Sequence, residues 1–316
     1  MEVREIEGLG PAERATLFDR DAGVEGVRED VRGIVDRVRD EGDVAVREFS
    51  REFDGVEVGN LDVTDAAAAA HEEVDPDVLA AIREAADNVR EFHERQRPAD
   101  WREDFDGREL GRRFRPLERV GVYVPGGAAA YPSSALMGIV PAKVAGVDHV
   151  VVATPPAEEL NPATLAAIHE AGADAVYSVG GAQAVAAMTY GTETVTPVEK
   201  VVGPGNRWVT AAKAEVRGDV EIDFLAGPSE VLVLADETAN PTYVAADLLA
   251  QAEHDDHASV VAVTADADLA AAVADELDDR LPECDRAETV AAALDNDASG
   301  VFLARSMSEA VLFAEE

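Results

Sequence analysis

Gln251 and His254 have the residue types and the spacing to hold one small ion or ligand. They are three residues apart near the end of a predicted helix, so their side chains leave that helix as neighbours. The helix is predicted to begin with Asn240 as its cap and Pro241 at its first position. Glutamine is an uncommon metal ligand, and the helix dipole alone explains a histidine at a helix C-terminus. The spacing therefore leaves a metal site and a structural role both open.

Glycine turns that follow apparent strands form the second chemical pattern. Glycines at such positions let a ligand approach the backbone, and the helix that follows offers free N–H groups to a phosphate. None of the turns fits G-x-G-x-x-G or the P-loop pattern. Together on one sheet edge, they predict a site for an anionic cofactor, with Arg207 as the nearest fixed positive charge. The turns are Pro125-Gly126-Gly127, Gly180-Gly181-Ala182-Gln183 and Gly203-Pro204-Gly205-Asn206.

The other candidate side chains have simpler interpretations. Cys284 is the only cysteine and has no histidine nearby in sequence, so we interpret it as a spare thiol rather than a catalytic one. His257 could be a further metal ligand, but its Asp-Asp-His context favours an exposed loop. The remaining histidines are predicted to lie at the surface; they are His71, His93, His149 and His169.

A repeating strand–turn–helix pattern from Arg119 onward is predicted to position these residues. Short apolar runs alternate there with alanine-rich helices, which is typical of a mostly parallel sheet with helices on its faces. In such a sheet the strand-to-helix turns share one edge, where ligands bind. Residues 1–118 are predicted to be mainly helical, with short strands between 98 and 115. The run Val231–Ala235 is predicted to be a strand covered on both faces.

Composition excludes several classes of protein. The chain has 316 residues, 47% of them hydrophobic, which predicts a globular protein with two domains. Its 65 acidic and 27 basic residues give a net charge of −38, which argues against nucleic-acid and anionic-membrane partners. No apolar run is long enough to span a bilayer. With one cysteine and no signal-peptide pattern, a cytoplasmic location is expected.

Five motifs in order resemble the histidinol dehydrogenase family, and the resemblance covers nearly all of the chain. The resemblance extends toward the N-terminus through the run RDEGDVAVREFSREFDG. The motifs are GVYVPGG (121–127), VGGAQA (179–184), GPGN (203–206), AGPSEVLV (226–233) and LLAQAEH (248–254).

The resemblance implies a zinc-dependent enzyme that oxidises L-histidinol through L-histidinaldehyde to L-histidine with two NAD⁺, the last steps of histidine biosynthesis. It implies that Tyr123, Gln183 and Asn206 contact NAD. It also implies that Ser229 lies in the substrate pocket, and that Gln251 and His254 ligate zinc and line that pocket.

The resemblance implies further groups beyond Glu316. The family's Glu–His acid–base pair lies in a Pro-Glu-His-Leu motif after the last predicted helix, together with the remaining zinc ligands, so no catalytic residue is expected within 1–316. That helix has a capping box at Ser306 and ends in two acids without a closing glycine, as expected of a chain cut before its end. We therefore expect no histidinol oxidation and only weak zinc binding from these 316 residues alone.

The resemblance also implies a homodimer and a fold of two Rossmann-like domains, one inserted in the other. The inserted NAD-binding domain is predicted at 119–229. The outer domain combines 21–118 with 230–316, after a short helical N-terminal arm at 1–20.

Three functional hypotheses remain at this point. The chain is the N-terminal portion of an active histidinol dehydrogenase, an inactive remnant that still binds NAD or dimerises, or a related zinc- and NAD-dependent dehydrogenase of another polar alcohol.

The net charge of −38 leads to a prediction about salt. At about 1 M salt the Debye length falls to roughly 3 Å, which screens the repulsion between acidic side chains. We expect a chain adapted to a high-salt cytoplasm, with a melting temperature that rises between dilute and molar KCl. Thermal melts at several KCl concentrations measure this, and equal stability at low and molar salt would contradict it.

Overall fold

The computed structural model describes residues 1–18, 24–126, 130–226 and 230–316. The chain forms two compact units, the first made of Met1–Ala22 with Gly227–Glu316 and the second of Gly23–Ala226. Each unit contains a parallel sheet with helices packed on its faces, which confirms the predicted α/β fold class. Within the described ranges, no helix is both long and apolar enough to cross a membrane.

The second unit contains most of the elements. Its helices are α2 (Arg28–Glu41), α3 (Asp43–Phe49), α4 (Thr64–Ala69), α5 (Pro76–Gln96), α6 (Pro132–Ala145), α7 (Pro162–Glu170), α8 (Gly181–Tyr190) and α9 (Arg207–Glu215). Its strands are β2 (Trp101–Phe105), β3 (Arg108–Arg112), β4 (Arg119–Tyr123), β5 (His149–Thr154), β6 (Ala175–Ser178), β7 (Lys200–Val202) and β8 (Glu221–Ile222).

Five of these strands form a parallel sheet in the order β6-β5-β4-β7-β8. Its strands are continuous apolar runs because helices cover both faces. Side chains alternate along β4: Val120 and Val122 pack with α5, α6 and α7, and Tyr123 packs with α2, α3, α8 and α9. The outer edge of β6 is covered by residues 61–63, where Ser178 N donates to Leu61 O at 2.8 Å.

The helices of residues 24–96 complete the two faces of this sheet. The apolar side of α2 packs on α8 and α9, while Leu79 and Ile82 of α5 pack with α6 and α7. Asp43, buried at the start of α3, accepts hydrogen bonds from the hydroxyls of Thr192 and Thr194 after α8. The compact units thus meet at 22/23 and 226/227, whereas the predicted domains meet at 20/21, 118/119 and 229/230, and the predicted domain boundaries stay a prediction.

The first unit has a four-stranded parallel sheet in the order β1-β11-β10-β9. Helices α10, α11 and α12 cover one face, and α1 and α13 cover the other. Its strands are β1 (Val3–Glu5), β9 (Glu230–Ala235), β10 (Ser259–Thr264) and β11 (Gly300–Leu303). Its helices are α1 (Pro11–Phe18), α10 (Pro241–Ala252), α11 (Ala267–Arg280), α12 (Ala287–Leu294) and α13 (Met307–Glu315).

Two features of the first unit differ from the sequence-based expectations. The N-terminal arm contains a strand, β1, which adds to the sheet beside β11. The prediction that β9 is covered on both faces is wrong: Leu232 and Leu234 are 38% and 40% exposed. Leu232 and Leu234 are exposed because β9 is an edge strand, in which only Val231, Val233 and Ala235 pack with the helices.

Candidate functional site

The turns of interest in the second unit follow β4, β5, β6 and β7 and lie at the carboxyl ends of these parallel strands. Strand β4 is central. The chain passes from it to β5 and β6 on one side, and then returns to β7 on the other. Such a reversal in strand order opens a crevice between the neighbouring carboxyl ends, where open α/β sheets bind ligands. The predicted juxtaposition of the turns is confirmed for the described residues, and Gly127 lies outside them.

The turn after β7 approaches the end of β4 more closely than any side chain allows. Gly203 has a φ of +112°, and a Cβ on it would lie 2.2 Å from the carbonyl oxygen of Tyr123. A Cβ on Gly205 would lie 2.4 Å from the side chain of Val209 in α9. Both glycines are therefore required by the packing of strand, turn and helix.

A buried ion pair holds this turn, and the sequence analysis missed it. The Lys213 ammonium, 3% exposed, donates to Asp223 Oδ1 at 2.8 Å and also to the carbonyl oxygen of Gly203. Asp223 Oδ2 in turn accepts the Gly203 N–H at 2.8 Å. One signal could have found it: Lys213 is one of only three lysines in the sequence, within an otherwise alanine-rich helix.

Asn206 lies at the end of the turn and begins α9. Its Oδ1 accepts from the N–H groups of Trp208 and Val209, at 3.1 and 3.2 Å, which makes it the N-cap. The carbonyl half of the amide is therefore occupied, and the Nδ2 group is left to contact a ligand. Asn206 and the adjacent Arg207 are exposed.

Tyr123 and Gln183 are both buried, 4% and 1% exposed. The Tyr123 hydroxyl accepts from the Gly181 N–H at 3.1 Å, which joins the end of β4 to the start of α8. Gln183 Oε1 lies over Gly181, 2.7 Å from where a Cβ would be, and Gly181 has a φ of +61°. The structure thus brings Tyr123 and Gln183 together around one glycine.

The pKa of the Tyr123 hydroxyl is raised to about 12, chiefly by burial; the Gly181 hydrogen bond opposes this shift, and the nearby Asp54 carboxylate contributes to it. Asp54 is itself desolvated, which raises its pKa to about 6. Its buried Oδ2 has no hydrogen-bond partner among the described residues. The sequence analysis did not single out Asp54.

A cavity of ≈ 270 Å³ lies at the same carboxyl edge, beside the ends of β4 and β5. It is lined by Pro125, Gly126 and Pro155 and by the start of α7. Pro155 is also the nearest neighbour of a Cβ built on Gly180, at 2.8 Å, so the turns after β4, β5 and β6 pack together.

The Gln251 and His254 pair belongs to the first unit. Helix α10 begins as predicted, with Asn240 accepting from Thr242 N at 2.9 Å, but it ends at Ala252. His254 therefore lies in the following turn, where its N–H donates to Gln251 O at 3.2 Å. Gln251 Nε2 is buried without a partner among the described residues, whereas His254 is exposed. Rotating this amide by 180° would place Oε1, a metal-binding atom, in the buried position.

The other candidate site residues of the sequence analysis do not extend the Gln251 and His254 site. Asp255, Asp256 and His257 have ligand atoms within 4.8 Å of one another, but all three are exposed, as expected of an Asp-Asp-His loop. Cys284 is half-buried, with its thiol directed at Arg280 O at 3.6 Å. Ser229 lies outside the described residues, so its predicted role is untested.

Comparison with known proteins identifies relatives along the whole chain. The family profile described as histidinol dehydrogenase matches residues 19–316. A histidinol dehydrogenase of Haloarcula marismortui is 71% identical over 316 residues, which cover 100% of this chain and 75% of that protein. The histidinol dehydrogenase of Bacillus subtilis is 46% identical over 316 residues, covering 98% of this chain and 73% of the relative.

A solved structure agrees with these relatives. The crystal structure of histidinol dehydrogenase from Elizabethkingia anophelis matches with a TM-score of 0.85 and 35% identity. The match covers 97% of this chain and 72% of that one.

The buried Lys213–Asp223 pair leads to a stability prediction. Lys213→Ala leaves the Asp223 carboxylate without its buried counter-ion, so the free energy of unfolding should fall by about 3–5 kcal/mol. The matched control is Lys143→Ala, which removes a partly exposed pair with Asp174 and should cost about 0–1 kcal/mol. Urea unfolding at constant KCl measures both, and equal losses would contradict the assignment.

Proposed function

This chain belongs to the histidinol dehydrogenase family, and we propose that its residues serve that family's oxidation of L-histidinol, through L-histidinaldehyde, to L-histidine with two NAD⁺, together with the acid–base pair that the resemblance implies. The observation that carries the proposal is the 71% identity over all 316 residues. It favours the first of the three hypotheses over a dehydrogenase of another polar alcohol. The acid–base pair implied by the resemblance stays a prediction.

We propose that NAD binds at the carboxyl edge of β4 and β7 and contacts Tyr123, Gln183 and Asn206. The support is that the turns at Gly181 and Gly203 both pack against Tyr123, and that Asn206 has a free amide nitrogen. In a chain of net charge −38, N–H groups and dipoles attract an anionic cofactor without adding fixed cations. The ≈ 270 Å³ cavity beside Pro125 and Pro155 would receive one nucleoside of the dinucleotide.

The role of Tyr123 in this proposal is to orient the cofactor. With a pKa of about 12, its hydroxyl stays protonated at neutral pH and cannot serve as a base. It already accepts the Gly181 N–H, so its own proton remains available for donation. Tyr123 therefore holds Gly181 in place and offers one hydrogen bond to a ligand.

The residues present fit part of a zinc site. Histidine nitrogen is a common zinc ligand and amide oxygen an uncommon one, and the position of Gln251 Nε2, which Oε1 would take after a rotation of the amide, is buried with no protein partner among the described residues. We propose that Gln251 and His254 hold the zinc ion, with Ser229 nearby in the substrate pocket. When bound, zinc supplies a Lewis acid that orients the amine and imidazole of the substrate. Helix α10 gives Gln251 a rigid base, since the helix packs into the core through Leu248 and Leu249.

Two further parts of the proposal rest on the family. We propose a homodimer, in accordance with the resemblance, and a cytoplasmic location. The 71% and 68% identities to histidinol dehydrogenases of Haloarcula marismortui and Halobacterium salinarum agree with an origin in a high-salt cytoplasm.

Asn206→Ala tests the NAD site. Loss of one ligand hydrogen bond should raise the NAD⁺ dissociation constant about tenfold, and loss of the N-cap should cost about 1 kcal/mol of stability. Asn240→Ala is the matched control, because Asn240 caps α10 in the same way and should cost the same stability without changing NAD⁺ affinity. Calorimetric titration with NAD⁺ measures the difference, and equal affinities in the two variants would count against the site.

His254→Ala tests the metal and the substrate together. L-Histidinol should bind in the presence of zinc, and His254→Ala should weaken this zinc-dependent binding at least about tenfold, as loss of a ligand implies. His257→Ala, three residues away in the exposed loop, is the control and should bind as the wild type does. Titration with L-histidinol, with zinc present or chelated, gives the result. Binding of L-histidinol that does not require zinc would refute the proposed zinc ligands. An equal loss of binding in His254→Ala and His257→Ala would refute them as well.

A further inference from the structure

A π-helical turn at Ser50–Asp54 continues α3 and ends in a carboxylate without a partner. Gly55, with a φ of +70°, closes the turn, and its N–H donates to Ser50 O. The Oδ2 atom of Asp54 is buried and has no hydrogen-bond partner among the described residues. Ser50 Oγ also lacks a partner there, but Ser50 is 0% exposed, whereas Asp54 is half-buried. Of these two groups, only the Asp54 carboxylate is within reach of a ligand.

The protein supplies no counter-ion to this carboxylate in the part of the chain that the structure describes. The two arginines nearest in sequence form ion pairs with other acids, Arg47 with Asp43 and Arg51 with Glu57. A desolvated carboxylate that has neither a counter-ion nor a hydrogen bond lowers the stability of a fold. Such groups are typical of functional sites, where a ligand completes the missing interaction. A ligand that donates a hydrogen bond would do so here.

Asp54 lies beside the proposed NAD site, at the carboxyl edge of the five-stranded sheet. Phe49, the residue before the turn, packs in one cluster with Tyr123 at the end of β4 and Ala182 at the start of α8. The Asp54 carboxylate is close enough to the Tyr123 hydroxyl to contribute to the raised pKa of that hydroxyl. Tyr123 in turn accepts the Gly181 N–H. The acid, the hydroxyl and the glycine turn after β6 therefore lie together.

We propose that the Asp54 carboxylate accepts a hydrogen bond from the 2′-hydroxyl of the adenosine ribose of NAD⁺ and thereby selects NAD⁺ over NADP⁺. This inference rests on the NAD site of the proposed function. An ionised carboxylate only accepts hydrogen bonds, and a ribose hydroxyl is a matching donor. In NADP⁺ a 2′-phosphate replaces that hydroxyl. The phosphate brings negative charge and no donor to the same place, so the carboxylate repels it.

Other parts of the cofactor fit this carboxylate less well. The diphosphate is anionic and is attracted instead by the N–H groups at the starts of α8 and α9. A carboxylate beside the nicotinamide ring would favour the cationic, oxidised ring over the neutral, reduced one, and would thus oppose hydride transfer from the substrate. The adenosine ribose lies at the other end of the cofactor. A fixed negative charge there selects the cofactor without opposing its reduction.

Asp54→Asn tests this selection, because it removes the charge and retains the shape of the side chain. The dissociation constant for NAD⁺ should rise about tenfold or more, while that for NADP⁺ should stay the same or fall. Glu57→Gln is the matched control, since it removes one charge from an exposed ion pair and should leave the ratio of the two constants unchanged. Calorimetric titration at constant KCl measures both ligands. An unchanged ratio in Asp54→Asn, or an equal change in the two variants, would overturn the assignment.

A ligand analogue tests the same hydrogen bond without a variant. The wild type should bind 2′-deoxy-NAD⁺, modified in its adenosine ribose, about tenfold more weakly than NAD⁺, because the hydroxyl that Asp54 accepts from is missing. Asp54→Asn should bind the two ligands alike. Equal binding of both ligands by the wild type overturns this inference alone, whereas a wild type that binds neither overturns the proposed cofactor site and this inference with it.

The pH dependence of NAD⁺ binding gives a further readout. Desolvation raises the pKa of Asp54 to about 6, so the carboxylate is ionised above that pH and protonated below it. The Tyr123 hydroxyl, with a pKa of about 12, stays protonated throughout. The NAD⁺ dissociation constant of the wild type should therefore rise as the pH falls from about 7.5 to about 5, and that of Asp54→Asn should rise less. Parallel pH profiles of the two proteins would contradict the proposed role.

Discussion

The contact between the Gly203 turn and the end of β4 is the constraint on which the second unit depends. The turn can lie against the Tyr123 carbonyl only because position 203 has no side chain. Lys213 and Asp223 hold it there from inside the unit, through the carbonyl and the N–H of the same glycine. A buried charge pair is costly to desolvate and gives little net stability, but it fixes one geometry. That geometry sets where α9 begins and therefore where Asn206 is presented.

The same constraint explains how an acidic protein can bind an anionic cofactor. Surface acids repel a phosphate, and fixed cations are few in this chain. The starts of α8 and α9 offer backbone N–H groups instead, beside glycine turns whose own N–H groups already bind Tyr123 and Asp223. These groups stay oriented whatever the salt concentration. Burial keeps the Tyr123 hydroxyl protonated, so this hydrogen-bond donor is uncharged, like the backbone N–H groups. High salt then screens the repulsion between acids without weakening the short hydrogen bonds to a ligand.

Local signals in the sequence predicted much of the fold. Helix α10 begins at Pro241 after its Asn240 cap, as predicted, and the strand–turn–helix pattern from Arg119 onward forms a parallel sheet. Features that depend on distant partners were not predictable. Strand β1 pairs with β11, which lies almost a whole chain length away, and the exposed side of β9 follows from its edge position. At the site, glycine patterns located the turns, but the pair that holds Gly203 joins residues ten apart that have no motif.

Amide hydrogen exchange with and without NAD⁺ tests the central claim most directly, because it reports where the cofactor binds without requiring turnover. The account predicts that NAD⁺ slows exchange at the turns after β4, β6 and β7, most of all in residues 180–183 and 203–206, while α11 and α12 of the first unit exchange as before. Unchanged exchange in both turns at saturating NAD⁺, or protection confined to the first unit, would contradict it.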